Sequence, residues 1–128
     1  MTIRENIAPT FTTFGAVSID DLEGITPLEC DELPFGLVGL SPAGLVEIYN
    51  AAESRLAGLR PERVIGRAFF AEVAPCMNND IVARRFETEP KLDVTIDYVL
   101  SLRMRRTPVK LRMLRSPAAT RRYLLVQR

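Results

Sequence analysis

Histidine and tryptophan are absent from this chain, and cysteine occurs only twice, at Cys30 and Cys76. Without histidine there is no usual general base, no commonest metal ligand and no Cys-His or Ser-His-Asp arrangement. A hydrolase and a metal centre are therefore not expected, and the chain does not read as an enzyme. The two cysteines match no zinc-binding spacing and, in a reducing compartment, are expected as free thiols. No apolar run approaches the roughly 18 residues of a membrane span. The N-terminus lacks the basic-then-apolar profile of a signal peptide. These absences predict a cytoplasmic protein with no membrane partner.

What is present is ordinary globular composition, 47% hydrophobic and 26% charged in 128 residues, enough for one domain with a core. Charge is unevenly placed. Residues 1–100 hold all 16 acids against 8 bases, and residues 101–128 hold 9 bases and no acid. A basic C-terminal segment suits an acidic partner or nucleic acid. With no nucleic-acid motif and no aromatic interleaving, nucleic acid is not the expected partner. The favoured reading is that arginines on sheet strands pair with the acidic stretch Glu29, Asp31 and Glu32.

Residues 1–32, with Pro9, Gly15, Gly24 and Pro27, form an N-terminal cap of short helices, one of them capped by Ser18 ahead of Asp20 and Asp21. Its expected contribution to the core is modest. From Phe35 the pattern is strand, turn (Ser41-Pro42-Ala43-Gly44), strand, hence a hairpin ending at Tyr49. Asn50 caps a short helix that Gly58 ends. Pro61 and Gly66 bracket one helical turn, Phe69 to Val73 forms another that Pro75 stops, and Asn79 to Glu87 has helical spacing. Leu92 to Leu102, Val109 to Leu114 and Tyr123 to Val126 alternate as strands, with Arg106-Thr107-Pro108 and Ser116-Pro117-Ala118-Ala119 as separators. The sum is an α+β protein of PAS type: a five-stranded antiparallel sheet with short helices on one face.

Two stretches say more. Tyr49-Asn50-Ala51-Ala52-Glu53 and Val64-Ile65-Gly66-Arg67-Ala68-Phe69-Phe70-Ala71-Glu72-Val73-Ala74-Pro75-Cys76, with Leu33-Pro34-Phe35-Gly36 upstream, closely resemble the photoactive yellow protein family. The resemblance covers about residues 33–128, the PAS domain proper. It implies a blue-light photoreceptor whose cofactor is p-coumaric acid (4-hydroxycinnamic acid), held as a thioester on Cys76. The family's tyrosine and glutamate, which bond the phenolate oxygen, fall on Tyr49 and Glu53. Phe69 and Pro75, in the same run, belong to the cofactor-binding set, Pro75 by fixing the orientation of the cysteine behind it. A phenol ionises near pH 10 unless donors face its oxygen, so Tyr49 and a protonated, buried Glu53 suit that task. Light would isomerise the double bond from trans to cis, move the Glu53 proton and loosen the cap.

The chain also departs from the family. Ala57 replaces a threonine that supports the tyrosine, and Leu59 replaces an arginine over the phenolic end of the pocket. Arg106 falls where the family has a methionine that helps thermal recovery, and Leu100 and Leu102 where it has aromatics. A raised phenol pKa is expected, with Arg106 reaching over the pocket as a substitute cation. Two further readings stand beside this one. The chain is alternatively a PAS ligand-binding module holding another phenolic ligand without photochemistry, or an interaction protein using its basic strands. As a sensor with no output domain it needs a separate downstream signalling protein, and is expected as a monomer or weak homodimer.

Overall fold

A computed structural model of the chain describes residues 13–102 and 104–128. The first part of the expected cap, residues 1–12 with Pro9, lies outside the described residues. Ser18 opens α1 (Ile19–Glu23) and Thr26 opens α2 (Pro27–Glu32), each closing a reciprocal capping box with the acid three residues on. The sheet then begins with β1 (Gly36–Leu40) and β2 (Val46–Tyr49), the predicted hairpin. Next come α3 (Ala51–Ala57), α4 (Pro61–Val64), a π-helical turn at Phe69–Val73 and a 3-10 turn at Pro75–Met77. α5 (Ala83–Thr88) precedes β3 (Leu92–Leu102), β4 (Arg105–Arg115) and β5 (Arg122–Gln127).

All strand pairs are antiparallel in the order β2-β1-β5-β4-β3, which places β1, β5 and β4 inside the sheet and leaves β2 and β3 at the edges. Because strand side chains alternate, each central strand feeds two cores. Val38, Leu40, Leu124 and Val126 join Phe69, Met77 and Phe86 under the helices that follow β2. Leu37, Tyr123 and Leu125 point the other way and join Val17, Leu22, Cys30 and Leu33 of the cap.

The cap therefore contributes more than its weak apolar pattern suggests. Leu22 and Val17 are 0% and 1% exposed, and each fully buried aliphatic side chain is worth about 1.5 to 3 kcal/mol. Arg112 of β4 ties the cap to the sheet: its guanidinium donates to the Val17 carbonyl at 2.6 Å and the Phe14 carbonyl at 3.0 Å while gripping Asp93 with two further bonds. Glu23 of α1 does the same from its side, accepting from the Tyr123 hydroxyl at 2.6 Å and the Thr120 amide at 2.8 Å.

Three further expectations need correction. The segment Arg106-Thr107-Pro108 is no separator: it lies within β4, with Pro108 opposite Val99, and the last pair of the hairpin is Leu102 with Arg105. Among the described residues the ion pairs of the basic strands are made with acids outside residues 29–32. Lys110 pairs with Asp97, Arg112 with Asp93 and Arg121 with Glu47, whereas Asp31 accepts from the Ala51 amide and the Glu29 carboxylate from the Thr26 amide. The neighbouring strands β3 and β4 put Asp97 opposite Lys110 and Asp93 near Arg112, and Arg121 reaches past β1 to Glu47 of β2, none of which local sequence distance can reveal. α5 also starts later than its periodicity suggests, because Asn79 first caps a turn by accepting from the Ile81 and Val82 amides.

Candidate functional site

Asn50 sets the site's first wall. It is 1% exposed, and its side chain uses every hydrogen-bonding position. Oδ1 accepts from the Glu53 and Leu37 amides at 3.0 and 2.9 Å, and Nδ2 donates to the Cys30 and Phe35 carbonyls at 2.9 and 3.0 Å. The first turn of α3 is thereby locked to β1 and to the cap, and Gly58 ends the helix in the left-handed region at φ 73°. Glu53 is turned inward, 4% exposed. The space for its carboxyl group exists because position 36 is glycine: a Cβ there would overlap Glu53 Oε1.

Among the described residues Glu53 Oε1 is a buried polar atom with no hydrogen-bond partner. Burial pushes its carboxyl group up from 4.5 to about 7, since low-dielectric surroundings disfavour the charged form. Tyr49, at the end of β2 and 5% exposed, is pushed above its ordinary range by burial and then by the Glu53 charge. Both groups are thus biased toward their proton-bearing forms, as donors.

The second wall carries the thiol. Phe69, 1% exposed, anchors the π-helical turn edge-on to Phe70, with ring centroids 5.0 Å apart. Pro75 then starts the 3-10 turn and presents Cys76, half-buried and free, as is the buried Cys30. Burial and nearby acids raise the Cys30 thiol to about 11, which suits inert packing.

Tyr49, Glu53, Ala57, Leu59, Phe69, Pro75 and Cys76 all line one cavity of about 470 Å³, completed by Val73, Met77, Leu100 and Leu102. Arg106 does not line it: this exposed residue stands on β4 opposite Ser101, which does. A cavity of like volume on the other side of Phe69, bordered by Phe70, Phe86 and Arg122, contains none of the other predicted site residues. The chosen cavity combines a thiol, apolar walls and an unpartnered carboxyl beside a phenol. Those groups fit a planar hydroxyphenyl acyl group, whose oxygen would satisfy the orphaned Glu53 Oε1. Among the described residues no cluster of acids and cysteines could hold a metal ion.

Sequence reading missed Gly36 as the residue that makes room for Glu53, and also missed Asn79 and Tyr98. The last two hydrogen-bond the Cys76 main chain. The available signals were faint: Tyr98 shares strand phase with Leu100 and Leu102, and Asn79 is a capping residue type three positions after Cys76.

Fold and site together define a PAS-type sensory protein, and the PAS fold family model matches residues 29–127. The PAS domain of an HTR-like protein from Haloarcula marismortui, 14% identical with a TM-score of 0.63, shares the fold alone. Closer relatives narrow the class. The photoactive yellow protein of Rhodothalassium salexigens is 33% identical over 116 residues, covering 85% of this chain and 93% of its own. That of Rhodobacter capsulatus is 34% identical over 122 residues, covering 90% and 95%. The photoactive yellow protein domain of the sensor histidine kinase Ppr from Rhodospirillum centenum superposes with a TM-score of 0.79 at 37% identity, over 87% of this chain and all of that domain. The chain belongs to the photoactive yellow protein family, a photosensory branch of PAS proteins. Among the described residues no helix is long and apolar enough to cross a membrane.

Proposed function

We propose that this protein is a blue-light photoreceptor carrying a p-coumaroyl (4-hydroxycinnamoyl) group as a thioester on Cys76. The observation that carries the reading is the buried, unpartnered Glu53 Oε1 sharing a cavity with Tyr49 and the Cys76 thiol. Loading needs an activated hydroxycinnamic acid: the Cys76 sulfur bonds to its acyl carbon, the leaving group departs, and the thiol proton goes with it. When bound, the group supplies visible absorption and a double bond that light turns from trans to cis.

The chain's own residues do the rest. Tyr49 donates its O–H and Glu53 its carboxyl proton to the phenolic oxygen, while Phe69 and Met77, both buried, exclude water from the walls. Once Glu53 gives up its proton it becomes a buried carboxylate without a cation. Such a charge costs several kcal/mol, comparable with the whole stability of a small domain. Asn50 bonds both the Glu53 amide and the Cys30 carbonyl, so strain in α3 reaches the cap directly. A cap that loosens is a signal for a separate downstream protein in the cytoplasm.

Ala57 and Leu59 supply neither donor nor cation to the phenolic oxygen, so part of the bound phenol stays protonated near neutral pH. The test is to treat the protein with activated p-coumaric acid and record spectra from pH 6 to 9, before and after blue light. A bleachable visible band that trades with an ultraviolet band as pH falls, and is absent in Cys76→Ser, is the expected result. No adduct, or the same band in Cys76→Ser, would refute the reading. Stabilisation by another phenol without a light response would favour a ligand-binding module instead.

A further inference from the structure

The main chain of Cys76 is held by two side chains from outside the family motif. Its carbonyl accepts from the Tyr98 hydroxyl at 2.7 Å and from Asn79 Nδ2 at 3.2 Å, and Asn79 Nδ2 also donates to Tyr98 Oη at 2.7 Å. Both protons of the Asn79 amide and the Tyr98 hydroxyl proton are thereby used, and both lone pairs of the carbonyl are engaged. Asn79 is fixed in turn by its bonds from the Ile81 and Val82 amides, both 3.0 Å. Tyr98 is fixed by β3, where its ring packs against the core in phase with Leu100 and Leu102 of the cavity wall. Sequence separation makes this a tertiary device, since Tyr98 lies 22 residues from Cys76.

We propose that Tyr98 and Asn79 are positioning residues for Cys76: by clamping its carbonyl they set the direction in which the thiol leaves the main chain, and so the orientation in which an aryl group attaches. A peptide unit is planar. Turning the one that follows the Cys76 α-carbon would break both bonds to its oxygen, so the Cα–Cβ bond that carries the sulfur keeps one direction and the thiol chooses only among its χ1 rotamers. The inference rests on the thioester reading only for the identity of the natural acyl group; the thiol's orientation is testable without it.

The test compares N-phenylmaleimide, which must lay a ring in the apolar cavity, with N-methylmaleimide, which need not. Rates at Cys76 are followed by peptide mapping at pH 7 in the ligand-free protein, so that Cys30 is counted apart. The wild type is expected to prefer the phenyl reagent. Tyr98→Phe keeps the ring but loses the hydroxyl, and should lower the phenyl-to-methyl rate ratio about fivefold, the population change one neutral hydrogen bond carries. Asn79→Asp keeps the acceptor for Ile81 and Val82, loses the donor to the carbonyl, and should lower the ratio in the same direction. If either folded variant keeps the wild-type ratio, or speeds or slows both reagents equally, the clamp does not position the thiol. Should Tyr98→Phe fail to fold, Asn79→Asp decides alone. A wild type that takes no p-coumaroyl group counts against the proposed function and leaves this ratio readable.

Discussion

Burial holds the Glu53 carboxyl near pH 7 in the folded protein against 4.5 when solvated. Between those values the folded chain binds more protons than the unfolded one, so stability falls as pH rises through the window and levels off above it. The full difference amounts to about 3 kcal/mol. Urea denaturation of the ligand-free protein at pH 5 and pH 8 should show that loss in the wild type relative to Glu53→Gln, which has nothing to ionise. Parallel pH profiles would mean that Glu53 is solvated. Tyr49, Glu53 and Cys76 were legible in the sequence because each sits in a contiguous motif with fixed spacing. Gly36 and Tyr98 were not, because what they do is done across the fold: one leaves space for a carboxyl group and the other grips a carbonyl on another element; Asn79 acts only three residues from Cys76, but its residue type alone does not say which carbonyl it bonds.

The hairpin of β3 and β4 shows why element boundaries were harder to read than element types. Pro108 looks like a strand breaker, yet the pairing of β4 with β5 runs from Lys110 to Leu114, so among the described residues the only strand paired at Pro108 is β3. A proline is tolerated where one side of a strand is open. The real turn instead uses Met104, fully exposed at φ 64°, a conformation that costs a side chain with a Cβ on the order of 1 kcal/mol. Met104→Gly should therefore raise stability by about 0.5 to 1 kcal/mol, measured by thermal unfolding. A clear loss would place the turn elsewhere. The capped helices needed no such correction: Ser18, Asn50, Pro61 and Gly58 carry their roles locally, and the structure puts each at the end it signals.

At the scale of the whole molecule, the sheet is the layer that stands between pocket and cap. Its helix-side core holds Tyr49, Phe69 and Met77, and its other core holds the cap residues Val17, Leu22, Cys30 and Leu33. Arg112 spans from β4 to the cap, and its side chain is only 10% exposed while that of Asp93 is 61% exposed. Removing a charged donor from two main-chain carbonyls leaves them short of a partner, and Arg112→Met should cost about 2 to 3 kcal/mol in urea unfolding. An unchanged stability would show that the cap is held without Arg112, by its apolar contacts and the Glu23 bonds. The basic C-terminal segment, read from sequence as a surface in search of acids, is matched in part within this architecture: of its nine bases, Lys110, Arg112 and Arg121 pair with acids on strands brought near them.

The central claim is that light moves the Glu53 proton within a cavity it shares with Tyr49 and Cys76. Infrared difference spectroscopy of the p-coumaroylated protein, light minus dark, tests it most directly. The account predicts loss of a protonated-carboxyl C=O band on illumination, its return in the dark, and its absence from the Glu53→Gln spectrum. A carboxyl band unchanged by light, or one that persists in Glu53→Gln, would contradict it.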